Sequence, residues 1–239
     1  TTLYGLCGAA LVGLGLYGLI VQPQLLRRIL AFNLLGGGVF LRDGAFTLNR
    51  NTITANNAGW GGGALFWQSN VALNGNTIAA NAATTAGGGI AAWGYALTLN
   101  GDTIIDNMTS GDGGGLAGGA AITLINTRIA ANRAVRGGGL YVDGRVHLLH
   151  NTIVGNTSSD GSSIYVTTDP MGVHSTVALT NTIVAQSSVG ISVMNASSVT
   201  GSASSIQHSN NRPLDLMLAM LRSNPANVKL IRQSLLLMY

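Results

Sequence analysis

The chain has 239 residues, of which 8% are charged, and its 12 basic and 8 acidic residues leave a net charge of +4. Arginines this scattered, with aromatics at 5% of the chain, provide neither the basic cluster nor the interleaved rings that nucleic acid binding needs. A single cysteine, Cys7, excludes a disulfide within the chain, and neither a thiolate metal site nor a cofactor is expected.

The first element is apolar. Leu3 to Val21 runs without a charge over nineteen residues, a length that just meets a membrane span. No basic segment and no initiating Met precede it, so it does not read as a secretion signal, and the chain can be a fragment. Arg27 and Arg28 separate this run from a second apolar stretch, Ile29 to Leu41. A basic connection of that kind favours the cytoplasmic side.

Next comes a repeat. Gly-Gly-Gly opens at Gly36, Gly61, Gly87, Gly113 and Gly137, with a degraded copy at Gly161, at spacings of 25, 26, 26, 24 and 24 residues. An apolar residue follows each triplet (Val39, Ala64, Ile90, Leu116, Leu140, Ile164). After it comes an alternating apolar element ending in Leu48, Leu73, Leu99, Leu124, Leu148 or Leu179. Each repeat then carries an Asn-rich segment with one fixed Ile, at Ile53, Ile78, Ile104, Ile129, Ile153 and Ile183. Three residues further on stands Asn56, Asn81, Asn107, Asn132 or Asn156, with Gln186 in the sixth copy.

Alternation at period two marks strands, and Gly triplets with Asn clusters every dozen residues are incompatible with helix. A near-constant period with several apolar positions in phase predicts a solenoid whose coils stack in register. The leucines and the fixed isoleucines are then inward ladders. The repeated Asn and Gly are corner residues, tolerant of left-handed backbone angles, and each Asn can bridge to the coil above. Ile191 to Asn211 is Ser-rich and lacks the triplet, so the coil is expected to decay there. Pro213 opens an apolar helical stretch with Leu214, Met217, Leu218 and Leu221 on one face.

These repeats resemble the right-handed parallel β-helix group, most closely the Gly-Gly-apolar and apolar-x-x-Asn repeats of polymorphic outer-membrane proteins and related bacterial surface proteins, over about residues 36–190. The fold expected is all-β: a right-handed parallel β-helix of about six to seven coils with apolar helical segments at both ends. Its divisions are 1–35, an apolar segment acting as membrane anchor or N-terminal cap; 36–211, the β-helix; and 212–239, a helical cap.

Residues 3–41 also resemble the first two membrane helices of the small three-helix protein that cation/proton antiporters and respiratory NADH:quinone oxidoreductases have in common. The Gly-Leu-Tyr-Gly-Leu step, the Leu-Leu-Arg-Arg-Ile-Leu turn and the region of Asn33 carry that likeness. The family's third helix is missing, as are the acids within apolar runs on which proton conduction depends. The junction at Gly36 therefore has three readings: a membrane anchor before a surface coil, two unrelated sequences joined, or a cap.

Candidate chemistry is sparse. A polysaccharide hydrolase needs paired carboxylates, and Asp102 with Asp106 is the one close pair in the coil. The plain alternative is that both are solvated turn residues. Trp67, Trp93, Tyr95, Tyr141 and Tyr165 follow the triplets and form a candidate sugar-stacking strip. Arg128, Arg133, Arg136 and Arg145, on two successive coils, are able to face an anionic glycan, and Arg128 and Arg145 are the candidates taken from them. The inserted segment Thr167 to His174 is placed to border a groove.

The function expected is non-catalytic adhesion or glycan binding at a bacterial cell surface, in the outer membrane or outside the cell. Partners would be glycans or a host or cell-surface partner, with a membrane reached through the N-terminal run and no nucleic acid. The alternatives are a β-helix lyase or glycoside hydrolase, and a fragment of a membrane antiporter or quinone oxidoreductase component joined to a β-helix.

Overall fold

The computed structural model describes residues 38–208 apart from 120, 161, 196 and 203. The apolar segment 1–35, the helical cap 212–239 and the transporter-like helices up to residue 37 lie outside the described residues. Val39–Arg42, where the second apolar run ends, is already a strand of the coil.

Every strand pair is parallel, and each coil lays its strands on those of the coil before it, giving a parallel β-solenoid of about six turns with four sheets along its length. Sheet A holds the strands that follow the triplets: Val39–Arg42, Ala64–Trp67, Ile90–Trp93, Leu116–Gly118, Leu140–Val142, Ser162–Val166 and Val189–Val193. Sheet B is built from the alternating elements, from Ala45–Asn49 to Ser198–Ser202, and sheet C from the fixed-Ile segments, from Thr52–Thr54 to Ser205–His208. A fourth sheet, D, from Asn57–Trp60 to Thr157–Ser158, had no sequence signal of its own, since its strands are short and share no repeated large apolar position.

The ladders form the core. Leu48, Leu73, Leu99, Leu124, Leu148 and Leu179 stand in register on sheet B. Ile53, Ile78, Ile104, Ile129 and Ile153 do the same on sheet C. In the sixth coil the expected Ile183 is displaced. Ile153 pairs with Val184, which is fully buried, while Ile183 is 48% exposed. Leu148 to Leu179 is already a 31-residue step, and sheet C follows that register instead of the repeated Asn-Thr-Ile, because a one-residue slip would turn every inward side chain outward. For the same reason Ser187, not Gln186, occupies the sixth Asn position; Gln186 lies in the corner before it.

The corners assign Asn and Gly different tasks. The left-handed residue before each ladder Asn is Ala55, Ala80, Asp106, Ala131 or Gly155, and the Asn itself is not left-handed. Its side chain goes inward. The Asn81 backbone N–H and side-chain amide both donate to Asn107 Oδ1, at 3.0 and 2.9 Å, and the same amide donates to the Ile53 carbonyl at 2.9 Å. Asn107 and Asn132 repeat the arrangement upward. Backbone groups that a corner would leave buried and unpaired are satisfied in this way.

The triplets are tight for steric reasons. Gly61 has φ +57°, and a Cβ there would collide with the Ala64 carbonyl; on Gly63 a Cβ would lie 2.7 Å from the Gly89 oxygen of the next coil and 2.8 Å from the Asn81 amide. Nothing larger than hydrogen fits between coils here. The coil does not decay after Gly190. Three more strands form, with Ile191, Val199 and Ile206 packed against the core, because alternation and register suffice where no further triplet has to stack.

A second ladder, at the corner between sheets B and C, contains Asp102 where the coil below has Asn76. Its Oδ1 accepts from the Asn76 backbone N–H and amide at 2.6 and 2.9 Å, and its Oδ2 from the Asn100 N–H at 2.8 Å. Burial outweighs these three donors and raises its carboxyl above the usual value of 3.8. A raised folded-state pKa means that the fold favours the protonated form, so this stabilising contribution is complete below 3.8 and is lost as pH rises through the folded value. Asp102→Asn should therefore stabilise the protein at neutral pH. Its new amide is positioned to donate as Asn76 does to the Leu48 carbonyl, worth about 1 kcal/mol, and thermal melts should show the gain shrinking as pH falls toward 3.8. Asn107→Ala leaves buried donors and an acceptor without partners, and chemical denaturation should show a loss of at least about 2 kcal/mol.

Candidate functional site

Outward positions of sheet A form two rows along the solenoid axis. One row runs Phe40, Leu65, Ala91, Ala117, Tyr141, Tyr165. The other begins Arg42, Trp67, Trp93 and continues one residue beyond Gly118 and Val142 with Gly119 and Asp143. Ala91 and Ala117 point away from the core yet are fully buried. The chain entering each triplet overhangs this face: a Cβ on Gly113 would lie 2.8 Å from the Ala117 Cβ. Residues just before the triplets, Trp60, Ala86, Asp112 and Arg136, pair in register into a wall beside it.

The wall and the face meet through aromatic rings and charge. Trp60 packs edge-on against Trp93, with centroids 4.9 Å apart and planes at 78°. Tyr141 and Tyr165 stack at 5.6 Å with planes 6° apart, and the Arg136 guanidinium lies 5.3 and 5.4 Å from their centroids. Arg136 also grips Asp112 through two bonds of 2.7 Å, which hold it protonated. Such fork-shaped pairs carry geometric specificity, so Arg136 is a fixed shelf under the two rings. Burial, followed by the charge of Asp112, pushes the Tyr141 phenol above its usual value, and Arg136 opposes this.

Asp143 closes the far end. It is 8% exposed, and its Oδ1 has no hydrogen-bond partner. Burial raises its carboxyl against the lowering pull of the Trp93 indole N–H and its own backbone N–H, and the charges of Asp169 and Asp112 raise it further. Asp169 belongs to the inserted loop, which it ties together by accepting from the Met171 and Val173 N–H groups. The insertion starts beside this face, where the Thr167 N–H donates to the Val142 carbonyl.

Of the residues singled out by sequence, Trp67, Trp93, Tyr141 and Tyr165 share the face. Tyr95 is in the turn between sheets A and B, 65% exposed. Arg128 lies on sheet C and Arg145 on sheet B, both exposed and apart from the rings. Asp102 and Asp106 do not share a surface. Asp102 is 1% exposed inside its ladder, not a solvated turn residue, whereas Asp106 is exposed at a left-handed corner.

Sequence reasoning missed Trp60, Asp112 and Asp143, and marked Arg136 only as one of four arginines able to face a glycan. Trp60, Asp112 and Arg136 directly precede a Gly triplet, and that shared position was the available signal. Among the described residues no group of three His, Cys, Asp or Glu side chains gathers to hold a metal ion, and no helix is long and apolar enough to cross a membrane. No protein-family model, curated protein or solved structure matches the chain.

Difference titration of wild type against Tyr141→Phe, followed in the near-ultraviolet phenolate band, should place the Tyr141 midpoint above 10.0. Asp112→Asn should lower it, because that change removes an anion and frees the Arg136 charge.

Proposed function

We propose that this solenoid is a non-catalytic surface protein that binds a glycan lying along the overhung face of sheet A. The observation that carries this reading is the set of rings on two adjacent axial rows: Trp67 and Trp93 in register on successive coils, Trp60 against Trp93, and Tyr141 stacked on Tyr165 in the neighbouring row further up. Successive coils are about 4.8 Å apart, comparable to the advance of an extended glycan per sugar. Rings on neighbouring coils thus offer apolar faces at the ligand's own repeat, and sugar rings stack on such faces.

The surface position rests on composition. With 8% charged residues and no glutamate, the exterior is kept soluble by Asn, Thr, Ser and Gly, as in the bacterial surface coils that the repeats resemble. Of Asp102 and Asp106, the pair a hydrolase would have used, the first is buried in its ladder and the second is exposed at a corner, which favours binding over cleavage.

Affinity electrophoresis of the full chain in gels containing neutral polysaccharides is the test. Retardation by at least one glycan, reduced about tenfold in apparent affinity by Trp67→Ala with Trp93→Ala and unchanged by Tyr95→Ala, is the expected result. Release of new reducing ends from the retarding polymer would replace binding with hydrolysis. Retardation that ignores the tryptophan substitutions would move the site off this face.

A further inference from the structure

In the wall beside sheet A the position just before each triplet is filled differently from coil to coil, by Trp60, Ala86, Asp112 and Arg136 in register. Stacking of the coils therefore demands no ion pair there, and exposed pairs add little to stability. Yet Asp112 and Arg136 are held firmly in place. Two bonds of 2.7 Å join them, and the guanidinium lies 5.3 and 5.4 Å from the Tyr141 and Tyr165 ring centroids. The geometry points to a hydroxyl-binding clamp, in which Asp112 and Arg136 together grip adjacent hydroxyls of a neutral sugar and select uncharged glycans over uronates or sulfated chains. It rests on the reading of this face as a glycan site and adds the chemistry that decides which glycans are accepted.

Both partners are open to a ligand. The Arg136 side chain is 44% exposed and that of Asp112 21%. A guanidinium carries five N–H donors. Asp112 receives one from Nε and one from Nη2, and the Tyr165 hydroxyl engages the group further, so donors are left over. Each Asp112 oxygen accepts one of the two bonds and keeps a lone pair. Donor and acceptor thus stand side by side, which matches a sugar hydroxyl that gives one hydrogen bond and receives another.

Charge decides between neutral and anionic ligands. Arg136 is neutralised by Asp112, and the charges of Asp112 and Asp169 are both felt at Asp143 on the same face. An incoming carboxylate or sulfate would meet these acids, and like charges brought together cost affinity. A hydroxyl meets no such repulsion. The clamp also lies on the path of an axial chain. Trp60, in the same wall, touches Trp93, so a glycan stacked on Trp67 and Trp93 passes Asp112 and then Arg136 as it continues up the solenoid.

The test titrates the full chain calorimetrically with β-1,4-linked hexaoses of glucose and of mannose, and with the matching hexauronates, which differ only in a carboxylate at the sixth carbon of each sugar. Wild type is compared with Arg136→Lys, which keeps the charge and loses the fork, and with Asp112→Asn, which keeps the size and leaves Arg136 without its counter-charge. Circular dichroism and melting temperature report that each variant folds.

Wild type should hold at least one hexaose about tenfold more tightly than its hexauronate, with an affinity insensitive to added salt. Arg136→Lys should weaken that hexaose about tenfold, the loss expected for a charge-assisted hydrogen bond, and Asp112→Asn should shift the preference at least fivefold toward the hexauronate. Hexaose binding unchanged in both variants but lost in Trp67→Ala with Trp93→Ala would overturn the clamp and leave the ring strip standing. Binding lost in Arg136→Lys and untouched by the tryptophan changes would uphold the clamp and end the strip. Preference of wild type for a hexauronate would overturn the clamp, and failure of all four sugars to bind would overturn it together with the glycan reading.

Discussion

Every feature of this chain follows from the requirement that one coil superimpose on the next at the spacing of paired strands, about 4.8 Å. At that separation the backbone of each turn, not only of each strand, must hydrogen-bond to the turn above. The triplets show the consequence: Gly62 N–H donates to the Gly87 carbonyl, Gly88 N–H to that of Gly113, and Gly89 N–H to that of Gly114. Side chains between these layers would force the coils apart. Glycine is therefore the space that lets backbone pair with backbone.

The asparagine ladders answer the same requirement from inside. A corner turns backbone groups toward the interior, where water cannot serve them, and an amide that both accepts and donates relays satisfaction from coil to coil. The ladder from Asn56 to Asn156 does this without a break. It stops at Ser187, a shorter side chain whose hydroxyl has no partner. Asp102 keeps the accepting half of the role and loses the donating half. A structure made of repeated coils tolerates such lapses singly, because each coil contacts only its neighbours and stability is distributed along the stack.

The tightness that closes the core also shapes the surface. Because the triplet turns sharply, the residue before it is set beside the outward face of the strand that follows. That is why Trp60 touches Trp93 and why Arg136 lies over Tyr141 and Tyr165. A polar solenoid thereby acquires one face with rings, an ion pair and a buried carboxylate. The coil itself does not dictate chemistry, so the proposed function is argued from this decorated face.

The repeat, the parallel pairing, the Leu ladder and most of the Ile ladder were legible in the sequence, because period-two alternation and a fixed coil length are one-dimensional signals that stacking simply reads out. The sequence also marked Trp67, Trp93, Tyr95, Tyr141 and Tyr165 as one strip, from which Tyr95 departs into the turn between sheets A and B. It misplaced Ile183 and Gln186, since a repeated Asn-Thr-Ile looked stronger than the one-residue offset set by the preceding strand. It assigned left-handed angles to the ladder asparagines that belong to the residues before them. Only the tertiary structure decided which polar residues turn inward, taking Asp102 into the core while leaving Asp106 in solvent. It alone brought Asp112, Arg136 and Asp143 together with the rings. Those residues are neighbours because successive coils overlie one another at more than twenty residues' separation, and which of them meet depends on register and on the angle of the glycine turn, neither of which is written at any single position.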